Sequence, residues 1–200
     1  MKSVLPRFKN SRNNNSLNAE CMLMDKNIIF EYLVFRLDQW KNDLENAGVK
    51  VPAFTKLRLQ KILFLVCAWN VEMKKRKLLN VFDHFCALPY GPVEVDIYEA
   101  MKLNNAFLHI SFDGNKCVYD KLDPSMFSSV NKEYKEWVDE AVERFMNDER
   151  QYLTMPVFDL VDITHRWTAW KITMEIASFL GNKKESMTVE SICKSPIKAY

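Results

Sequence analysis

The chain has 200 residues, 48% of them apolar and 12% aromatic, enough to bury a core within one domain. Its 28 basic and 26 acidic side chains leave a net charge of +2, which excludes a global electrostatic attraction to nucleic acid or membrane and leaves only local patches to consider. The five cysteines, Cys21, Cys67, Cys86, Cys117 and Cys193, are odd in number and far apart, as expected of reduced, mostly buried thiols in a cytoplasmic protein.

Residues 1–24 are basic and Asn-rich (Lys2, Arg7, Lys9, Arg12) with little apolar periodicity, and are expected to form a flexible arm ahead of a folded domain at 25–200. They contain no apolar h-region, so no secretory signal is expected, and nowhere does an uncharged apolar stretch approach the roughly 20 residues that span a membrane. Regular structure begins near Asp25, where Ile29, Leu33, Leu37, Trp40 and Leu44 recur at helical steps. Gly48 stops this helix, and Pro52 keeps the next residues extended. Thr55 is placed to cap a second helix running through the apolar run 62–69 toward residue 79, with Lys74, Lys75, Arg76 and Lys77 at its C-terminal end. Apolar on most sides, it reads as the central helix of a bundle.

The segment "CALPYGPVEVDIYEA", 86–100, makes a stiff corner in a chain with only four glycines. Gly91 and Pro92 suit a helix start there, with Val93, Ile97, Ala100 and Met101 inward. Residues 106–120 change period: Leu108, Ile110 and Phe112 alternate with polar residues, and Asp113-Gly114-Asn115 supplies a hairpin turn. An amphipathic helix follows at 131–147, with Tyr134, Trp137, Val138, Ala141, Val142 and Phe145 on one face. Pro156 opens a short helix, and Thr168 is placed to cap a last long one, closed by Gly181. The expected fold is mainly α (α+β): a single-domain helical bundle with one small β-hairpin near 106–120.

Chemistry is sparse. There is no G-x-S-x-G, H-E-x-x-H, phosphate-binding glycine loop or paired CxxC. His84 and Cys86 form a lone H-x-C, short of the four ligands zinc wants, so neither metal nor cofactor is expected. Asp83-His84 and Asp162 with His165 are the acid–base candidates. A carboxylate three residues before a histidine on a helix is a catalytic arrangement and equally an ordinary helix-end hydrogen bond. The segment "THRWTAWKI", 164–172, combines large aromatic area with polar handles, the composition of protein interfaces, with Trp170 expected inward and Arg166-Trp167 outward.

Three segments in this order resemble the Panacea antitoxin domain family, which includes SocA-like proteins and phage-associated relatives. "FTKLRLQKILFLVCAWN" is similar to T-x-L-K-L-Q-K-L-L-Y-F-x-Q-x-W through Thr55, Leu57, Leu59, Gln60, Lys61, Leu63 and Trp69. "FCALPYGPVEVDIY" is similar to A-W-x-Y-G-P-V-x-x-x-V/I-Y through Ala87, Tyr90, Gly91, Pro92, Val93 and Tyr98. "LVDITHRWTAWKI" is similar to L-x-x-x-T-H-x-x-x-x-W through Leu160, Thr164, His165 and Trp170. Leu88 and Pro89 depart from the pattern, standing where the family often has Trp and a polar residue.

The resemblance implies a non-enzymatic protein that neutralises a toxin, usually encoded next door, by direct contact. Its SocA-like branch implies delivery of that toxin to an AAA+ protease as a variation. A DNA-binding autoregulator, carried by the basic arm and Lys74–Lys77, and a small hydrolase using His165 with Asp162 are the rival classes; no helix-turn-helix pattern supports the first. The residues expected to carry the function are Tyr90, Gly91, Pro92, Val93, Thr164, His165, Arg166, Trp167 and Trp170. The corner and the 164–170 turn are expected to lie together, as one recognition ridge or as a structural clasp beside it.

Overall fold

A computed structural model describes residues 12–69, 76–103 and 105–195, with side chains from Lys26 onward. Helix α1 (Arg12–Asn46) buries Ile29, Leu33, Leu37 and Trp40, the stripe expected from their spacing. Its backbone is helical well before Asp25, so residues 12–24 continue the helix; the rest of the expected arm, 1–11, lies outside the described residues. Once the packed turns have nucleated a helix, each added residue costs little, and no apolar stripe is needed to extend it. Gly48, at φ +83, ends the helix, and the Val49 N–H returns to the Leu44 carbonyl at 2.9 Å.

Helix α2 (Lys56–Ala68) starts where expected: Thr55 is extended, and its side chain accepts the Arg58 N–H at 3.2 Å. Every residue from Arg58 to Ala68 is buried, so α2 is the central helix. It ends sooner than residue 79. Trp69 leaves helical geometry to put its ring against Tyr152 and Trp167, and Arg144 takes its carbonyl at 3.0 Å. Of the basic run, Lys74 and Lys75 lie outside the described residues, and Lys77 starts a short 3-10 turn and pairs with Glu140.

The corner is a β-hairpin. Strand β1 (Phe85–Leu88) turns through Pro89-Tyr90 into β2 (Gly91–Glu94), and helix α3 (Val95–Ala100) begins only afterwards, capped by the Glu94 side chain on the Ile97 N–H at 2.8 Å. The expected helix start at Gly91-Pro92 is thus a strand; Pro92 fits it because its missing N–H would face outward on an edge strand. The hairpin expected near 106–120 forms as β3 (Ser111–Asp113) and β4 (Lys116–Val118), with Gly114 at φ +55 in the two-residue turn. It is tied to the start of α2 by Lys56 N–H to the Asn115 carbonyl at 2.8 Å and Cys117 N–H to the Phe54 carbonyl at 2.9 Å.

Helix α4 (Lys132–Met146) presents Val138, Ala141, Val142 and Phe145 to the core. Helix α5 (Val157–Thr164) follows Pro156, and α6 (Thr168–Phe179) has Trp167, one residue before the expected Thr168, at its N-cap position with no side-chain cap bond. Strand β5 (Glu185–Met187) pairs with β1, giving an antiparallel sheet in the order β2-β1-β5, and α7 (Val189–Lys194) closes the described chain. The fold is mainly α with small antiparallel sheets, as the pattern implies, but the three-stranded sheet was not legible from it. The core has α2 packed against β2, α4 and α5, with α1 laid across α3 and α4. Cys67, Cys86 and Cys117 are buried free thiols and Cys193 is a half-buried one; the Cys21 side chain lies outside those described. Among the described residues no helix is long and apolar enough to cross a membrane.

Thr55→Ala removes the cap of the central helix and is expected to lower stability by about 1 kcal/mol in urea denaturation, with an unchanged slope.

Candidate functional site

The three motif segments converge on the β1–β2 hairpin. In an antiparallel ladder, successive residues turn their backbone groups alternately toward and away from the partner strand. The Val95 N–H bonds the His84 carbonyl at 2.9 Å, which places Cys86–Val93 among the bonded pairs and turns Pro92 and Glu94 outward. That outer edge is closed by two adjacent side chains of α2. Gln60 Oε1 accepts the Glu94 N–H at 2.9 Å, Gln60 Nε2 donates to the Glu94 carbonyl at 3.3 Å, and Lys61 Nζ donates to the Pro92 carbonyl at 2.6 Å. Proline supplies no N–H that would need a partner. Gln60 and Lys61 thus stand in for a neighbouring strand, and no other chain can add at β2.

The third motif closes the turn. Trp170 Nε1 donates to the Leu88 carbonyl at 3.0 Å, and the His165 ring bonds the Pro89 carbonyl while stacking on Trp170, centroids 3.7 Å apart. Thr164 is fully buried, and its hydroxyl donates to the Val161 carbonyl at 2.7 Å. The same oxygen lies only 2.4 Å from where a Cβ on residue 91 would stand, with Lys61 Nζ at 3.1 Å. Gly91 therefore answers two demands at once, φ +89 and the close approach of α5.

The expected proximity of the corner and the 164–170 turn is thus realised, and most of the nine singled-out residues hold the hairpin. Gly91, Pro92, Val93 and Thr164 are buried, and His165, Arg166 and Trp170 are half-buried. Trp167 reverses the expectation. It is only 1% exposed, edge-on to Phe64 and against Trp69, because the step out of α5 turns it into the core, while Trp170 takes the outer position. Tyr90 alone of the nine is exposed, at 63%, on the tip of the turn, where its ring meets Phe158 edge-on at 6.4 Å.

The acid–base candidates are occupied differently from their sequence pairing. The ring bond of His165 goes to Pro89, and Asp162 acts on it only through its charge. Burial and the neighbouring Lys61 charge hold His165 below the ordinary histidine value. His84 Nδ1 lies 2.8 Å from Asp96 rather than against Asp83. Asp83, Glu94 and Asp96 bring carboxylate oxygens within 4.8 Å of one another, a grouping that could hold a metal ion. The Lys26 ammonium of α1 already fills it, at 3.1, 2.9 and 2.6 Å from the three. Burial works against that ammonium, but the Glu94 charge and the hydrogen bonds to Asp96, Glu94 and Asp83 hold its pKa above the ordinary lysine value. This cluster anchors α1 to the base of the hairpin.

Lys26, Glu94, Asp96 and Phe158 were not singled out by sequence reasoning, and Gln60 and Lys61 only as motif matches. One signal was available: Gln60-Lys61 interrupts a helix that is apolar on most sides, and buried polar side chains require partners.

Residues 59–171 match the family model described as Antitoxin SocA-like, Panacea domain, over more than half of the chain. The match begins inside α2 and ends inside α6, so it encloses the whole clasp. No curated protein and no solved structure matches.

Gly91→Ala forces a side chain into a left-handed conformation and against Thr164, and is expected to cost about 3 kcal/mol in urea denaturation. Lys61 supplies a pH signature. Burial brings its ammonium from 10.5 down to about 7. Unfolding takes up a proton at Lys61 between those values, so its contribution to stability is least favourable at and below pH 7 and improves as pH rises toward 10.5. The melting temperature of wild type minus that of Lys61→Met is therefore expected to increase with pH across that window.

Proposed function

The chain belongs to the antitoxin SocA-like, Panacea domain family, and we propose on that basis that it is an antitoxin that neutralises a cognate protein toxin, encoded by the adjacent gene, through direct contact in the cytoplasm. The observation that supports a contact role is the exposed Tyr90 tip on a hairpin held from below by Trp170, His165, Lys61 and Gln60. A turn already fixed by buried hydrogen bonds and by Pro89 and Pro92 loses little conformational freedom when a partner docks. Tyr90, with Phe158 beside it, offers the aromatic area that anchors protein interfaces.

In this reading the motif residues act at one remove: they position the tip, and the tip touches the toxin. The reading needs no bond-making. The His165 ring, the Lys61 ammonium and the Thr164 hydroxyl are each bonded to a backbone carbonyl of the clasp or of α5.

Co-expression of the adjacent open reading frame tests the proposal. That product is expected to arrest growth alone and to be silenced by the wild-type chain. The double variant Tyr90→Ala, Phe158→Ala is expected to melt like wild type, yet to bind the neighbour at least tenfold more weakly and fail to restore growth. Full rescue by that variant would remove the tip from the interface, and growth unaffected by the neighbour would overturn the antitoxin reading.

A further inference from the structure

We propose that the free edge of β5, with the apolar ridge of α6 beside it, is a self-association surface on which a second copy of this chain docks. The two edges of the β2-β1-β5 sheet are treated in opposite ways. On β2 the outward groups of Pro92 and Glu94 are consumed by buried side chains. On β5, the alternation that bonds Cys86 to Val93 leaves Ser186, opposite Cys86, with its N–H and carbonyl turned away from β1. The Ser186 N–H meets only the carboxylate of its neighbour Glu185, at 3.1 Å, and its carbonyl has no partner among the described residues. Ser186 itself is exposed.

This edge is self-complementary. Two copies of β5 paired antiparallel about Ser186 exchange N–H and carbonyl, making a closed pair of bonds across a two-fold axis.

Helix α6 supplies the apolar part. It packs on β5, and the loop between them is held by Asn182 N–H on the Ala177 carbonyl at 2.8 Å. Ala169, Thr173 and Ala177 face inward, and Trp170 and Met174 lean on the core from one flank. On the other flank Ile172, Ile176 and Phe179 recur at helical spacing, joined by Leu180; Phe179 is 90% exposed and the others about half. Together they bare roughly 500 Å² of apolar side chain, at the upper end of the largest patch a typical monomer leaves exposed. Doubled by symmetry and extended by the strand edge, the contact approaches the ~1,200 Å² at which stable interfaces begin.

The test is the solution mass by analytical ultracentrifugation from low to high micromolar concentration. Wild type is expected to approach twice its 23.6 kDa chain mass. Ser186→Pro removes the outward donor without touching the pairing to β1, and Phe179→Asp charges the ridge at its most exposed point. Each is expected to sediment as a monomer with a wild-type melting temperature, while Ser186→Ala stays dimeric. A wild-type chain that remains monomeric throughout, or a dimer that survives Phe179→Asp or a folded Ser186→Pro, overturns the proposal.

Discussion

Two consecutive side chains on the central helix, Gln60 and Lys61, carry the arrangement on which everything around the hairpin depends. They bond the outward backbone groups of Glu94 and Pro92 in a fully buried setting. An unmet backbone group there would cost about 1–3 kcal/mol. The edge strand and the central helix are therefore bound into one unit, and the hairpin cannot move without exposing or orphaning polar atoms. The cost of this design is a lysine held away from water, visible in its pKa of about 7.

Charge is managed differently at the base of the hairpin. Lys26 meets three carboxylates, one of them fully buried, and the cluster ties α1 to β2 and α3. Removing either side alone would leave charge stranded in the interior, which is worse than never having had the pair. This also explains why a carboxylate grouping that resembles a metal site is filled from within the chain.

The combined effect is a tip whose supports are buried and whose aromatic ring is not. Of the aromatic and imidazole groups that in sequence suggested either chemistry or recognition, Trp170 and His165 serve as hydrogen-bond donors to the turn and Trp167 packs in the core. Tyr90 and Phe158 are left facing outward. The clasp bonds backbone carbonyls of the turn and does not read the side chain at the tip. The Trp170 bond uses the Leu88 carbonyl and is indifferent to the side chain at that position.

Local pattern by itself determined the first helix through 29–46, the start of the second at 56 with its Thr55 cap, the helix at 132–146 and the 111–118 hairpin, but not where the second helix ends. Each is set by periodicity or by a turn residue acting within a few positions. The family resemblance, in turn, marked the three segments that form the clasp. Tertiary structure alone decided the rest. Residues 85–94 became a hairpin because β5, some ninety residues later, and the Gln60-Lys61 pair supply its edges, and no local rule sees either partner. Trp167 and Trp170 exchanged their expected places for a similar reason: which of two nearby rings turns inward depends on where Phe64, Trp69 and the Leu88 carbonyl stand, and those positions exist only once the chain has folded.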